Sequence, residues 1–187
     1  MVRLNRIYTR TGDAGESGLV DGSRASKADP RFAAIGDVDE ANCAIGVALA
    51  SVEHAEARAM LGRVQNELFD LGADLATPAG IEGALRIQPD QTARLEREID
   101  AMNEDLEALR SFILPGGAGG SAELHLARAV VRRAERAAVA AAEAGGFSAE
   151  ALRYLNRLSD HLFVLARWVA RERGGDILWQ PGATRSG

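Results

Sequence analysis

The residues nearest the N-terminus combine glycines, hydroxyl groups and positive charges in a pattern that could bind a polyanion. Eight of them are candidates for such contacts: Thr9, Arg10, Thr11, Gly12, Gly15, Ser17, Gly18 and Lys27. Glycines let the backbone approach a phosphate and turn its N–H groups toward it, and hydroxyl and cationic side chains complete the site. The segment is not a Walker A loop, because the spacing GxxxxGK(S/T) is absent. A flexible polar tail would have the same composition, so composition leaves both interpretations open.

A second candidate is a row of arginines in the fourth predicted helix. Arg128, Arg132 and Arg136 are four residues apart and share one face, with Arg133 and Glu135 beside them. Like charges at this spacing destabilise an isolated helix by about 0.2–0.5 kcal/mol per pair, so an anionic group should compensate them. Arginine suits two-pronged contacts to phosphate or carboxylate. The alternative, which is the usual meaning of such runs, is a solvated face with ion pairs inside the helix.

The fifth predicted helix places polar residues on a strongly apolar background. Asn156 and Asp160 are four residues apart on one face, Phe163 follows, and Arg153 and Arg157 are close by. The asparagine could contact a purine or a ribose, and the aspartate could hold a cation or pair with an arginine of the fourth helix. A polar pair between helices that only fixes their packing fits the spacing equally well.

An apolar patch precedes the densest glycine cluster of the chain. Phe112, Ile113 and Leu114 lead into Pro115 and a run of glycines that ends at Gly120. Such a patch ahead of a helix could cover one side of a large, flat, hydrophobic ligand. The alternative is a connector between two helices, whose apolar residues serve as core anchors.

Metal-binding and acid–base motifs are absent from the sequence. His54, His125 and His161 show no zinc-ligand spacing with Cys43 or with each other. No nucleophile elbow and no base triad is visible. A phosphate-binding loop and an arginine row without an evident acid or base indicate group transfer by positioning, and we expect no metal site built from protein ligands.

Five predicted helices must position these residues. Helical spacing of apolar residues covers about residues 32–52, 56–76, 89–109, 121–144 and 149–173. Residues 1–30 contain four glycines and no helical period, which indicates a loop or a few extended turns. Helices of about twenty residues with short links predict an all-α fold, a five-helix bundle. We expect a single domain with a glycine-rich loop segment (1–30), a bundle (31–175) and a C-terminal tail (176–187).

Length and composition limit the classes of protein. The 187 residues fit one domain, and the aromatic content of 5% favours helices over sheets. The formal net charge of −5 argues against nucleic-acid binding, which would need a basic excess. Cys43 is the only cysteine, so no intrachain disulfide can form. The longest uncharged apolar run, residues 41–52, is too short to cross a membrane, and no secretory signal is visible, so we expect a cytoplasmic protein.

Taken in order, these motifs resemble those of the PduO-type ATP:cob(I)alamin adenosyltransferases. The resemblance covers nearly the whole chain, and its order and spacing are more specific than any one motif. It rests on residues 8–15 (YTRTGDAG), 36–40 (GDVDE), 112–117 (FILPGG), 128–136 (RAVVRRAER), 155–160 (LNRLSD) and 178–179 (LW). Two positions depart from the family pattern. The family often has lysine or another residue at the position of Ala14, and serine or threonine at the position of Gly18. Backbone contacts to phosphate survive both changes.

The resemblance implies a homotrimer of five-helix bundles with active sites between neighbouring subunits. It implies that three segments contact the nucleotide and the corrinoid, with Phe163 as a further contact. The implied polar contacts are Thr9, Arg10, Thr11, Gly12, Gly15, Ser17, Gly18, Lys27, Arg132, Arg133, Glu135, Arg136, Asn156 and Asp160. Phe112 would lie under the corrin and help displace its lower ligand. Asp39 would pair with Arg128 across the subunit boundary.

The implied reaction transfers the 5′-deoxyadenosyl group of ATP, with Mg²⁺, to the cobalt of cob(I)alamin, forming adenosylcobalamin and releasing tripolyphosphate. Cob(I)alamin is itself a strong nucleophile, so no base is needed, and Phe112, Arg132, Asp39 and Arg128 are the expected catalytic residues. A cob(II)alamin reductase and a B12-dependent client enzyme are the expected protein partners. An escort that carries adenosylcobalamin to a client is the alternative, although an escort would not need a phosphate site. A purely structural bundle would leave the arginine row unexplained.

Overall fold

The computed structural model describes residues 7–145 and 147–185 of the chain. Two short strands precede five helices: β1 Glu16–Gly18, β2 Arg24–Ser26, α1 Pro30–Ser51, α2 Ala55–Leu75, α3 Pro89–Glu104, α4 Ser121–Gly145 and α5 Ala149–Ala170. The predicted all-α five-helix bundle is confirmed. α1 packs against α2 and α4, and α5 packs against α3 and α4. The helix that carries the arginine row therefore has both α1 and α5 as neighbours.

A two-stranded antiparallel hairpin of β1 and β2 stands before the bundle, where the sequence indicated only a loop or extended turns. Asp21 closes its turn: the carboxylate accepts hydrogen bonds from the Ser23 N–H at 3.0 Å and from the Ser23 hydroxyl at 2.6 Å. Gly22 lies in the left-handed region at φ 83°, which costs a glycine little. Strands of three mostly polar residues carry no alternating apolar pattern, so the sequence could not indicate them.

The core consists of the apolar stripes of the helices. The apolar stripe of α5 is buried: Leu155, Leu158, Leu162, Leu165 and Val169. Ile45 of α1 and Leu124 of α4 are fully buried with it. α1 begins at Pro30 because Asp29 caps it, accepting a hydrogen bond from the Arg31 N–H at 2.8 Å.

α3 ends at Glu104, whereas the sequence predicts a helix to about residue 109. The Asp105 carboxylate accepts a hydrogen bond from Trp168 Nε1 at 2.8 Å, and the Glu107 carbonyl accepts one from Arg167 Nη2 at 2.8 Å. These bonds to α5 draw the chain away from the helical path, so that contacts in the fold override local helical tendency. Residues 105–120 form a long loop instead, the α3–α4 loop.

A buried polar network joins α2, α3 and α5. Tyr154 donates to Glu67 at 2.7 Å, and Arg94 pairs with the same carboxylate. His161 bonds to Glu98 through Nε2 at 2.9 Å. Burial raises the pKa of Tyr154, so its phenol stays protonated and acts as the donor. These contacts join α2, α3 and α5 inside the bundle.

Candidate functional site

A cavity of about 660 Å³ lies between the α3–α4 loop and the facing sides of α4 and α5. Nine residues line it: Leu109, Arg110, Ser111, Phe112, Ile113 and Pro115 from the loop, His125 and Arg128 from α4, and Phe163 from α5. Its wall is largely apolar and includes two guanidinium groups. A cavity of this size and character is typical of small-molecule and cofactor sites. It brings together Phe112, Arg128 and Phe163, which the sequence had singled out separately.

Phe112 is presented to the cavity and is not a core anchor. Its surface is 78% exposed, so the interpretation of the apolar patch as a connector held by buried residues is wrong for this side chain. The ring makes an edge contact with Trp179, with centroids 6.0 Å apart and planes at 61°. An exposed aromatic wall can pack against a flat apolar ligand, which would bury surface that the chain alone leaves in water.

His125 forms part of the cavity wall, which sequence reasoning missed. The ring is 3% exposed and makes an edge contact with Phe163 at 6.0 Å between centroids. Burial lowers its pKa, and the nearby charge of Arg128 lowers it further, so the imidazole is neutral at neutral pH. Its position three residues before Arg128 puts both on one face of α4, which was the available signal.

Arg128 has no acidic partner within the described part of the chain, residues 7–145 and 147–185. Its Nε is buried and makes no hydrogen bond there. Burial lowers the pKa of this guanidinium, and the charge of Arg132 lowers it further. Asp39, its predicted partner, is exposed and lines a separate cavity of about 280 Å³ with Cys43 and Phe69. One subunit therefore does not bring Asp39 and Arg128 together.

The arginines that follow on α4 differ in their surroundings. Arg133 donates through Nε to Asp37 at 3.1 Å and pairs with Glu40, so it joins α4 to α1. The hydrogen bond to Glu40, and then the one to Asp37, raise the pKa of Arg133. Arg132 and Arg136 are exposed, and no acidic partner of either is found among the described residues. The structure thus engages Arg133 in packing, while Arg132 and Arg136 face solvent.

The polar residues predicted on α5 have partners on different helices. Asn156 Nδ2 donates to Glu135 Oε1 at 2.8 Å, and both residues line a cavity of about 330 Å³. Asp160 accepts from Arg157 at 2.6 Å, and Arg157 also bonds to Glu96 at 3.0 Å. The alternative that paired Asp160 with an arginine of the fourth helix is therefore wrong, because its partner is on α5. Asn156 and Glu135 form the contact between the two helices.

The N-terminal candidates converge on a folded turn. Lys27 closes it, since its Nζ donates to the Gly12 carbonyl at 2.9 Å and its backbone N–H donates to the Gly15 carbonyl at 2.8 Å. The hydroxyls of Thr9 and Thr11 share a hydrogen bond of 2.8 Å. A Cβ on Gly12 would lie 3.1 Å from Lys27 Nζ, so a larger residue there would push the ammonium group away. The turn groups hydroxyls, glycine backbone and one ammonium, as a phosphate site requires.

The hairpin lies apart from the helix of the arginine row in the described part of the chain. Arg10 adopts φ 63°, and Ser17 and Gly18 belong to β1. The Val20 N–H donates to the Ala76 carbonyl at the end of α2, at 3.3 Å. Neither strand packs against α4 among the described residues. Within the described part of one chain, the hairpin that carries Ser17 and Gly18 therefore does not pack against the helix of Arg132.

Among residues 7–145 and 147–185, no three His, Cys, Asp or Glu side chains lie close enough to hold a metal ion. In the same described part of the chain, no helix is both long and apolar enough to span a membrane.

Comparisons with known proteins agree on one family. The family model described as cobalamin adenosyltransferase matches residues 7–169. A corrinoid adenosyltransferase of Mycobacterium tuberculosis (strain ATCC 25618 / H37Rv) is 52% identical over 193 residues, which cover 99% of this chain and 98% of that protein. A corrinoid adenosyltransferase of Bacillus subtilis (strain 168) is 40% identical over 95% of this chain and 94% of its own length. A solved structure of a variant PduO-type ATP:corrinoid adenosyltransferase from Lactobacillus reuteri, complexed with cobalamin and ATP, superposes with a TM-score of 0.89, at 36% identity, over 94% of this chain and 99% of that one.

Proposed function

This chain belongs to the cobalamin adenosyltransferase family, and we propose that it transfers the 5′-deoxyadenosyl group of ATP to the cobalt of cob(I)alamin. The products are adenosylcobalamin and tripolyphosphate. The observation that carries the proposal is the 660 Å³ cavity whose wall joins an exposed Phe112 to Arg128, on the helix that also presents Arg132. That wall offers an apolar surface to a macrocycle, and the arginines of the same helix offer cations to a polyphosphate.

The reaction balances without a protein acid or base. The electron pair of cobalt(I) forms the bond to the 5′ carbon, the bond from that carbon to oxygen breaks, and its electron pair leaves with tripolyphosphate. The protein must align the two substrates and stabilise the charge that grows on the leaving group. This matches a cavity that offers cations, aromatic rings and a neutral imidazole.

The corrinoid occupies the 660 Å³ cavity in this proposal. Phe112, which is exposed in the chain alone, packs against the lower face of the corrin, excludes water and disfavours the polar lower ligand on that face. Loss of that ligand makes the preceding cobalt(II) state easier to reduce. Phe163 and His125 form the cavity wall on α4 and α5, where the lowered pKa of His125 keeps a second positive charge away from Arg128.

The triphosphate binds between the N-terminal turn and the arginine row. Thr9, Thr11, Gly12 and Lys27 supply hydroxyls, backbone groups and one ammonium. Arg132 supplies the guanidinium that meets the developing charge, because it is exposed and has no acidic partner among the described residues. Mg²⁺ comes with the triphosphate in this proposal, and the phosphate oxygens are its ligands.

The complete site lies between two subunits of a homotrimer. In one chain the hairpin contacts the end of α2, and neither of its strands packs against α4 within the described residues. In this proposal a neighbouring subunit therefore brings the N-terminal segment to the arginine row. Among the described residues, Arg128 has a buried Nε without a partner, and Asp39 is exposed and lines a separate cavity. Pairing of Asp39 with Arg128 of the next subunit would satisfy both charges. A reductase that supplies cob(I)alamin and a B12-dependent client enzyme are the expected further partners.

The test is an anaerobic assay with chemically reduced cobalamin, ATP and Mg²⁺. Formation of a light-sensitive alkylcobalamin spectrum, together with stoichiometric tripolyphosphate, is the expected result. Binding of cobalamin with no consumption of ATP would identify an escort instead and would refute the proposal. Omission of Mg²⁺ and replacement by other divalent ions test the proposed metal requirement in the same cuvette.

A further inference from the structure

We propose that Trp179 is a positioning residue that holds the Phe112 ring at the cavity, and that residues 176–179, the C-terminal strap, complete the corrinoid site. The inference rests on the proposed function, because it assigns Phe112 to the corrin face. It goes beyond that function by giving a role to a segment that follows the last helix. Three independent observations support it: a backbone bridge to the loop of Phe112, a contact between the two aromatic rings, and a buried arginine that anchors the strap.

Phe112 needs such a partner because its own loop does not fix it. The residue is 78% exposed and lies in a loop that continues into Gly116, Gly117, Gly119 and Gly120. An exposed phenylalanine in a loop can adopt several side-chain rotamers, and only some of them face the cavity. Fixing the rotamer before the ligand arrives removes part of the entropy cost of binding. A contact that selects one rotamer would therefore favour the state with no lower ligand.

The strap fixes the backbone on both sides of Phe112. Ile113 and Leu178 form an antiparallel bridge. The Trp179 N–H donates to the Phe112 carbonyl at 2.8 Å, and the Leu114 N–H donates to the Ile177 carbonyl at 2.7 Å. In an antiparallel pair with this register, residues 112 and 179 are directly opposite, so their side chains extend to the same face. The bridge therefore places the Trp179 ring beside Phe112.

The two rings meet in the geometry that aromatic pairs prefer. Their centroids are 6.0 Å apart with planes at 61°, an edge contact. Trp179 is itself 44% exposed, so it contributes little to the core and lies at the rim of the site. The Ser111 hydroxyl also donates to the Trp179 carbonyl at 3.0 Å, which adds a hydrogen bond just before Phe112. Hydrogen bonds thus fix the backbone of Trp179, and its indole can limit the rotamers that the Phe112 side chain adopts.

The strap has an anchor that does not involve Trp179. Arg167 of α5 is 7% exposed, and its Nε donates to Asp176 at 2.9 Å while its Nη2 donates to the Glu107 carbonyl at 2.8 Å. One buried guanidinium thereby holds the start of the strap and the start of the α3–α4 loop together. Removal of the Trp179 side chain leaves this anchor and the backbone bridge in place. The ring contact can therefore be tested alone.

The variants are Trp179→Ala, the conservative Trp179→Phe, and the matched control Gln180→Ala, which truncates the exposed side chain directly after the strap. We expect Trp179→Ala to lower kcat about two- to tenfold, the range that an aromatic pair contributes. The KM for ATP should stay within about twofold, since no phosphate contact changes. The share of bound cob(II)alamin with a four-coordinate spectrum should fall in the presence of ATP. Trp179→Phe should restore most of both readouts, and Gln180→Ala should change neither.

The double variant Phe112→Ala/Trp179→Ala decides whether Trp179 acts through Phe112. If it does, Trp179→Ala causes no further loss in the Phe112→Ala background, because the group that it positions is gone. Two independent losses that multiply would overturn the inference, and so would a Trp179→Ala variant with normal kcat and a normal cobalt spectrum. In both cases an active wild-type enzyme leaves the proposed function intact. An inactive wild-type enzyme would instead remove the proposed function and this inference together.

Discussion

Replacement of Phe112 by alanine should separate a ligand-contacting aromatic from a structural one. A buried phenylalanine costs about 3–5 kcal/mol when truncated, because a cavity is left behind. Phe112 is 78% exposed, so about a fifth of that cost applies, which is about 1 kcal/mol. A domain of this size loses about 2–4 °C of melting temperature per kcal/mol. We therefore expect a fall of about 2–4 °C, against about 6–20 °C for a core anchor.

The activity of the same variant should change far more than its stability. An alanine reopens the space on the lower face of the corrin, so the lower ligand can return to cobalt(II). We expect bound cob(II)alamin to remain five-coordinate in its visible and electron-spin spectra and turnover to fall steeply. The KM for ATP should change little, because the phosphate contacts are on other residues.

The matched control is Leu158→Ala, which truncates a fully buried side chain of α5 that is outside the cavity. It should lose about 2–5 kcal/mol of unfolding free energy while its cobalt spectrum stays normal. A Phe112→Ala variant that melts as early as this control, with an unchanged four-coordinate cobalt signal, would show that Phe112 has a structural role and does not contact the corrin. A variant that melts normally and turns over at the wild-type rate would refute the placement of Phe112 against the corrin.

Four further outcomes are expected. Arg132→Ala should abolish adenosylation without lowering the melting temperature, because the side chain is exposed; near-normal turnover would remove Arg132 from the triphosphate site. Charge reversal at Asp39 or at Arg128 should weaken trimer assembly and activity, and the double swap should restore part of both, as sedimentation and assays can show; an active monomer would contradict this. Amide exchange in residues 7–30 should slow when ATP and Mg²⁺ are added, because phosphate contacts offset a backbone ordering cost of about 1–2 kcal/mol per residue; equal exchange rates would exclude it. Burial raises the pKa of Glu98, but its imidazole and guanidinium neighbours lower it overall below 4.5. Its stabilising contribution is therefore present above pH 4.5 and lost as the pH falls further, so Glu98→Gln should flatten the acid limb of thermal stability.

The helices could be predicted from the sequence because periodicity and punctuation agree there. The buried stripe from Leu155 to Val169 repeats at helical spacing, and Ser148 caps its helix by accepting from the Ala151 N–H at 3.1 Å. The end of α3 could not be predicted. The residues after Glu104 are compatible with a helix, and only the hydrogen bonds to Trp168 and Arg167 on α5 draw the chain away. A contact between segments sixty residues apart leaves no local pattern.

The site was predictable where motifs are dense and not where it depends on contacts between distant segments. Phe112 and Arg128 stand in recognisable motifs, so the sequence could single them out as candidates, and both line one cavity. His125 has no metal-ligand spacing in the sequence, and a lone histidine carries no pattern that indicates a cavity wall. Trp179 belongs to a short terminal motif to which the sequence assigns no role. The bridge that pairs residues 177–179 with 112–114 joins segments of only three residues each. Pairings this short have no hydrophobic period.

The partners of the arginines on α4 explain how one helix can serve both the fold and the reaction. The row of like charges should destabilise the helix unless anions meet it. Arg133 meets Asp37 and Glu40 on α1, so its charge is used to join two helices. Arg128 and Arg132 meet no acid among residues 7–145 and 147–185, and burial together with mutual repulsion lowers the pKa of Arg128. The unsatisfied part of the row is where the proposed function places anionic groups from outside the chain: the triphosphate of the substrate and a carboxylate of a neighbouring subunit. An Arg133→Ala variant should accordingly lose stability more than activity, and Arg132→Ala activity more than stability; the reverse order would show that the α4 arginines do not divide in this way.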